Sequence, residues 1–304
     1  MKENCERKAL IKVGYACNNL CVFCHAATLR GHVDATTESL VAKVGAARVQ
    51  GYEMAVFSGG EATIRSDLGT LVKAVAREKL SLGLVTNGRR FAYRPFLEGL
   101  LRYRLRYVYM SLHGARAETH DRTVGAKAFE ETLAAIRNVA SIPDLHFTVN
   151  TVLTRWNADE LENIVALLSG IGGMRIKVSY LEPKGAALKD LGDLLLPPTE
   201  AAERIQAAIS HGQAHAEAAT EFAWDALPFC LMPGLDHLYD DLLTNRIEVM
   251  SEADETAFFP VDHLNKGKAS PCDNCAWNDT CPGLYHAALE RYGHEYLKPF
   301  STPK

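Results

Sequence analysis

The sequence predicts an α/β protein: a partial (β/α)6 TIM-like barrel followed by a small, irregular C-terminal domain. Three observations carry this. From residue 9 to about 182, short β-rich runs alternate with helical stretches. Strand starts run from 9 to 175 over five intervals, about 33 residues per unit, close to the roughly 30 that a βα repeat takes. Beyond Pro197 and Pro198 one more helix follows; from Pro228 regular periodicity fades, Pro and Gly accumulate, and a second set of cysteines appears. Such alternation implies a parallel sheet with helices outside it. Six units are too few for the closed eight-stranded barrel of roughly 250 residues, so an open lateral face is expected.

The elements follow in order. Strands are expected at 9–14, 54–58, 80–86, 106–111, 146–152 and 175–180, from their β-branched and aromatic content. Helical patterns fill the intervals, for example 38–50 after a Thr37 cap and 68–78 after Ser66 or Asp67. A helix is expected from Thr199 to about Ala216, and a short one over 284–292. The predicted organisation is therefore a barrel over 1–190, a linker and helix over 191–225, and a cysteine-bearing domain over 226–304.

Composition bounds the function. The 304 residues are 47% hydrophobic and 23% charged, ordinary for a globular protein. A net charge of −4 argues against a general nucleic-acid binder. No apolar run approaches the ~20 residues of a membrane span. Eight cysteines without an apolar export segment suggest a reducing, cytoplasmic setting, where clustered thiols serve as ligands. Three sit at Cys17, Cys21 and Cys24 and three at Cys272, Cys275 and Cys281, with Cys5 and Cys230 alone.

Parallel barrels carry their chemistry at the C-terminal ends of the strands. Here the first strand runs into CNNLCVFC, the second into Ser58, Gly59, Gly60 and Glu61, and the third into Thr86, Asn87 and Gly88. The fourth ends in Ser111, Leu112, His113 and Gly114, and the fifth carries Asn150 and Thr151. Each is a common turn on its own; together they line one rim. Three cysteines are one fewer than a closed four-cysteine site needs, so an iron–sulfur cluster bound there keeps one iron open for a substrate or cosubstrate. The same residues also spell the C-x-x-C-H of a haem attachment site, and with His25 they offer a zinc set.

In C-x3-C-x-Φ-C (Cys17, Cys21, aromatic Phe23, Cys24) and the Gly59, Gly60, Glu61 motif, on alternating βα units, the chain resembles the radical S-adenosylmethionine (radical SAM) superfamily over residues 9 to about 185. The resemblance implies that Cys17, Cys21 and Cys24 hold a [4Fe–4S] cluster whose fourth iron takes the amino and carboxylate groups of S-adenosylmethionine. It assigns Gly59, Gly60 and Glu61 to the methionyl ammonium, and Ser111 and Asn150 to the ribose and carboxylate. Arg122 resembles the arginine that pairs with the carboxylate, and Phe23 and Leu181 would flank the adenine. Asn87 joins the same rim, as a cofactor contact or as the holder of its own turn. The implied chemistry is reductive cleavage of the sulfonium to a 5′-deoxyadenosyl radical that abstracts hydrogen from the substrate. Iron–sulfur potentials span roughly −700 to +450 mV, and sulfonium reduction needs the low end, so a flavodoxin or ferredoxin donor is implied.

Cys272-x2-Cys275-x5-Cys281, with Cys230 as a fourth ligand, is similar to part of the SPASM domain, the auxiliary-cluster module of peptide maturases. The next cysteine of that module would fall at Tyr285, so the shortened "twitch" form with one auxiliary [4Fe–4S] cluster fits better than two. A zinc knuckle is the competing use of the spacing. Without Cys230 the cluster would keep an open iron. Cys5 reads most simply as a spare thiol. The favoured activity is oxidative modification of a peptide, aided by a separate recognition protein or using a short substrate in the open barrel face. Oxidation or remodelling of a small molecule (a sugar alcohol, cofactor or antibiotic precursor) is the alternative. The run Arg102, Tyr103, Arg104, Leu105, Arg106, Tyr107 raises RNA modification, which the acidic balance weakens. A non-enzymatic two-cluster electron carrier is a further class, one that needs neither an open iron nor Glu61.

Overall fold

The computed structural model describes residues 6–31, 34–216, 219–261, 263 and 265–300; Cys5 lies outside the described residues. Six strands fall in the expected places: β1 (Lys8–Lys12), β2 (Met54–Ser58), β3 (Ser81–Val85), β4 (Leu105–Ser111), β5 (His146–Leu153) and β6 (Arg175–Tyr180). Between them run α1 (Thr37–Val49), α2 (Leu68–Arg77), α3 (Arg94–Leu101), the pair α4 (Ala117–Val124) and α5 (Phe129–Ala140), and α6 (Leu161–Ser169). The cap of α1 is Thr36 rather than Thr37: its side chain accepts from the Ser39 N–H at 3.2 Å.

The sheet continues past the six expected strands. After α7 (Leu191–Leu194) and α8 (Pro198–His215), β7 (Glu221–Asp225) pairs in parallel with β6, inside the segment expected to be linker and helix. On the opposite side β8 (Ile247–Ser251) pairs in parallel with β1, and β9 (Phe259–Pro260) closes that edge antiparallel to β8. The order is β7-β6-β5-β4-β3-β2-β1-β8-β9. β7 is anchored by Trp224, which is fully buried and donates its indole N–H to Leu235 O at 2.6 Å. Such a side chain stabilises by about 3–5 kcal/mol relative to Ala. A bridge from Trp224 to Tyr239 covers the free edge of β7. A separate hairpin, β10 (Lys266–Gly267) with β11 (Leu284–Tyr285), and helix α9 (His286–Tyr292) complete the C-terminal part.

Strand side chains alternate between two faces. Ile11, Phe57, Leu84 and Val108 pack with the helix residues Leu40, Leu71, Leu97 and Ile136 in the main core. Leu10, Met54, Val56, Tyr107, Ile247 and Val261 form a smaller cluster inside the barrel. Its N-terminal end is stopped by charge: Arg175 pairs with Glu221 and Asp240, and the Lys8 ammonium donates to Asn245 O at 2.7 Å. The mouth at the other end is left for the cysteine loop. Among the described residues no helix is long and apolar enough to cross a membrane.

Candidate active site

The cysteine loop leaves β1 and is sewn to the rim at three points. Beside β2, Gly60 N–H donates to Gly14 O at 2.7 Å and Glu61 N–H to Ala16 O at 2.8 Å. Beside the end of α4, Leu20 and Val22 N–H groups donate to Val124 O and Thr123 O at 2.7 and 3.1 Å. Beyond β6, Ala186 N–H donates to Cys24 O at 3.0 Å. The loop therefore spans the mouth from β1 to β6 with its backbone held. Cys17, Cys21 and Cys24 are partly buried free thiols along it. Cys17 Sγ accepts from Asn19 N–H at 3.4 Å, and the Asn87 amide stands 4.0 Å away. Burial first, and then the fields of Cys24 and Cys17, push the Cys21 thiol up to about 12. Burial raises Cys17 as well. Three mutually opposed thiols in one partly buried loop suit a cationic iron cluster, which removes that opposition by taking them as thiolates.

The two glycines are explained by the loop itself. A Cβ on Gly59, whose φ is +124°, would lie 2.3 Å from Gly14 O, and one on Gly60 2.1 Å from Ala16 O. Next to them Glu61 is 2% exposed. Its Oε1 accepts from Thr63 N–H at 3.0 Å and from the Thr63 and Thr86 hydroxyls at 2.6 and 2.7 Å; Oε2 accepts from Asn87 N–H at 2.7 Å. The carboxylate thus ties the end of β2 to the end of β3 and sets Asn87, whose amide reaches Asn18 Oδ1 at 2.7 Å. In Glu61→Gln one oxygen becomes an NH2 facing a donor. We expect a loss of about 2 kcal/mol, read as a lower melting temperature with reduced iron retention.

Ser111 and Asn150 are paired across β4 and β5, and Ser179 Oγ, one step further along β6, donates to Asn150 Oδ1 at 2.8 Å, so the three meet inside the mouth. Phe23 lies edge-to-face on His113 with centroids 4.8 Å apart. His113 Nδ1 accepts from Val152 N–H at 3.3 Å, placing its proton on Nε2. Burial, aided by His120, holds His113 down to about 3, so the ring is neutral at pH 7 and acts as the support of Phe23. Leu181 is 1% exposed and belongs to the main core just beyond β6. Arg122 is exposed on α4 with its guanidinium 4.1 Å from the centroid of the Trp156 ring. Sequence reasoning missed Arg89, whose Nη1 donates to Asn18 O at 2.8 Å and Asn19 Oδ1 at 3.2 Å while its Nε pairs with Glu131. Its only signal was its place two residues after Asn87.

The second thiol set also converges. Cys230, Cys272, Cys275 and Cys281 line one cavity walled by Phe229 and Trp277, whose rings meet at 5.5 Å. Burial, with Cys281, Cys272 and Cys275 adding, pushes the Cys230 thiol up to about 11. No three His, Cys, Asp or Glu side chains among the described residues gather round a point as one metal ion requires. Four thiols around a shared cavity could hold a multi-iron cluster, in which each corner iron takes one thiolate. Tyr285, at the position expected for a further cysteine, is buried and stacks on Tyr180 at 6.4 Å.

Against models of known families, residues 11–168 match the one described as the Radical SAM superfamily. A probable GTP 3',8-cyclase of Saccharolobus islandicus is 29% identical over 194 residues, covering 60% of this chain and 61% of that protein. The mycofactocin maturase MftC of Mycolicibacterium smegmatis is 29% identical over 188 residues, covering 61% of this chain and 47% of that protein. Each match thus spans less than two thirds of the relative's own length. In fold, the chain resembles the crystal structure of Streptococcus suis SuiB bound to S-adenosylmethionine, with a TM-score of 0.64 and 14% identity over 98% of this chain and 76% of that one.

Proposed function

This chain belongs to the radical SAM superfamily, and from that premise we propose that it oxidatively modifies a peptide, with an auxiliary cluster in a SPASM/twitch-like C-terminal region. It is an enzyme whose cofactors are a [4Fe–4S] cluster and S-adenosylmethionine. Once reduced, that pair supplies a hydrogen-abstracting radical. The finer reading is carried by one observation, the four thiols Cys230, Cys272, Cys275 and Cys281 around a single cavity. A second [4Fe–4S] cluster there would supply an acceptor for the one electron that a substrate radical must still lose, together with a proton, to become the oxidised product. The likeness to a peptide maturase supports the same substrate class, while the likeness to a cyclase named for GTP supports the small-molecule alternative.

In this reading residues 1–190 carry the cosubstrate machinery, 191–225 supply α8 and β7 along one barrel edge, and 226–304 hold the auxiliary site. Cys17, Cys21 and Cys24 ligate the first cluster, tuned by the donors Asn19 and Asn87 beside Cys17. The Gly59–Gly60 backbone and Glu61 are assigned to the methionyl ammonium, Ser111 and Asn150 to the ribose and carboxylate, and Phe23 and Leu181 to the adenine. Arg122 is assigned to the carboxylate, with its guanidinium over the Trp156 ring. A flavodoxin or ferredoxin donor, a cytoplasmic setting and a separate peptide-recognition protein complete the proposal.

Reconstituted wild type is expected to hold about eight irons per chain as two four-iron clusters. The double variant Cys272→Ala/Cys275→Ala should lose about half of them yet still form 5′-deoxyadenosine with dithionite. A pool of short synthetic peptides should speed 5′-deoxyadenosine release by wild type and yield products lighter by two hydrogens, which the double variant does not make. Stimulation by GTP or a sugar alcohol, with none by peptides, would replace the peptide reading by the small-molecule one.

A further inference from the structure

Inside the mouth, next to Ser111, Asn150 and Ser179, charged groups are left incompletely partnered. Lys177 lies in the register row of Ser111 and Asn150, paired with Asn150 on β5 and with Ala223 on β7. Its side chain is only 4% exposed, and its ammonium sits 2.9 Å from Asp225 Oδ2 and 5.7 Å from the centroid of the Tyr109 ring. Asp225 Oδ1 is buried and has no donor among the described residues. A buried carboxylate oxygen without a donor costs about 1–3 kcal/mol, more for a charged group, which marks this as a place prepared for something else.

The C-terminal hairpin brings a second ammonium to the same place. Asn265, just before β10, donates its amide to Glu182 Oε1 at 2.8 Å, and Glu182 Oε2 lies 3.3 Å from His25 Nε2. That docks β10 over the exit of β6. Lys266 then stands over the Tyr285 ring, 5.2 Å from its centroid, with no hydrogen-bond acceptor for its ammonium among the described residues. Burial lowers its pKa, opposed by Asp225, Asp241 and Glu182, while Lys177 lowers it further. Lys266 is paired with Tyr285 on β11, and Tyr285 stacks on Tyr180 at the end of β6, the strand that carries Lys177 and pairs with the strand of Asp225; the hairpin thereby sets Lys266 beside that end of the barrel.

We infer that Lys266, backed by Lys177 and Asp225, is a substrate-recognition site for a carboxylate, with Asp225 Oδ1 taking an adjacent N–H of the same ligand. Lys177 and Lys266 carry two positive charges against the carboxylates of Asp225, Asp241 and Glu182, all of which act on Lys266. With no positive surplus, the place suits a ligand that brings one negative charge together with an N–H donor, whereas a polyphosphate would leave buried charge uncompensated. Asp241 is committed to Thr244 N–H, the Tyr239 hydroxyl and His263. Glu182 is committed to Asn265 and His25. Both weigh further against a polyanion. A peptide residue with an acidic side chain supplies carboxylate and amide N–H together. This inference rests on the reading that the substrate enters the barrel mouth, and it names what the mouth selects.

The test reads binding, not turnover. In protein loaded with clusters and S-adenosylmethionine, the rate at which an amine reagent modifies Lys266 is followed by mass spectrometry, with exposed Lys189 as internal control. The probes are acetyl-Gly-Asp-Gly-amide, its Asn counterpart, succinate and GTP. The Asp peptide is expected to slow modification of Lys266 several-fold and the Asn peptide not at all. Lys266→Gln, a hairpin position whose backbone pairing is unaffected, should weaken Asp-peptide binding about ten-fold, and Lys266→Arg should restore most of it. Protection by succinate but not by the peptide would keep the carboxylate site and remove the peptide reading above. Equal protection by Asp and Asn peptides, protection by GTP alone, or none by any probe would overturn the inference.

Discussion

Cys24→Ala is expected to abolish 5′-deoxyadenosine formation in anaerobic reactions with dithionite and S-adenosylmethionine, while wild type forms the product. The loop offers three thiols, so removing one leaves an iron corner without a protein ligand, and the loop itself holds no further cysteine to replace it. The backbone at residue 24 is held independently, by Cys24 N–H to Cys21 O at 3.1 Å and by Ala186 N–H to Cys24 O at 3.0 Å. The fold should therefore survive, and iron content should fall by about four per chain with the melting temperature of the apoprotein nearly unchanged. That combination separates loss of a ligand from loss of structure. Product from the variant at the wild-type rate would mean that another residue completes the cluster. No product from fully loaded wild type would mean that cleavage waits for substrate, and a binding titration with S-adenosylmethionine would then separate a gated enzyme from a carrier.

The parts of this site that were legible in the sequence are those whose chemistry is local. A βα period appears wherever strand and helix patterns alternate, and the three-cysteine spacing survives on the page because one loop carries it. Cys230 was legible for a different reason: three clustered thiols ask for a fourth, and the fold does bring residue 230 to the cavity of residues 272–281. What was hidden depends on contacts between distant residues. Nothing in the run Glu221–Asp225 distinguishes it from a loop until Trp224 finds a buried slot against Leu235, and β8 becomes a strand only because β1 has a free edge. Glu61 reads as an anion waiting for a cation, yet its oxygens are occupied by Thr63, Thr86 and Asn87. The anionic character that the family motif puts to use also serves as the rivet of the rim.

Gly60→Ala should be strongly damaging for a single added methyl. The φ of Gly60 lies outside the left-handed region, so the penalty there is steric alone. The added Cβ would meet Ala16 O at 2.1 Å, Tyr15 C at 2.6 Å and Ala16 C at 2.7 Å, all of them backbone. No side chain can turn aside to make room. The chain one residue before Cys17 must move, breaking the hydrogen bonds of Gly60 N–H to Gly14 O and Glu61 N–H to Ala16 O. Overpacking costs about 1–3 kcal/mol and two backbone hydrogen bonds about 1 kcal/mol each. A fall of roughly 5–15 °C in melting temperature is expected for a domain of this size, together with poor iron loading because Cys17 is carried off its position. Gly45→Ala is the matched control. Gly45 lies within α1 with nothing inside 4 Å of an added Cβ, so the same methyl there should stabilise by about 0.5–1 kcal/mol through helix propensity. Equal melting temperatures and equal iron content in the two variants would show that the glycine pair is not what holds the cysteine loop against the rim. A drop confined to Gly60→Ala would mean that the motif does its first work in the protein itself, by letting two backbones touch, before any cosubstrate arrives.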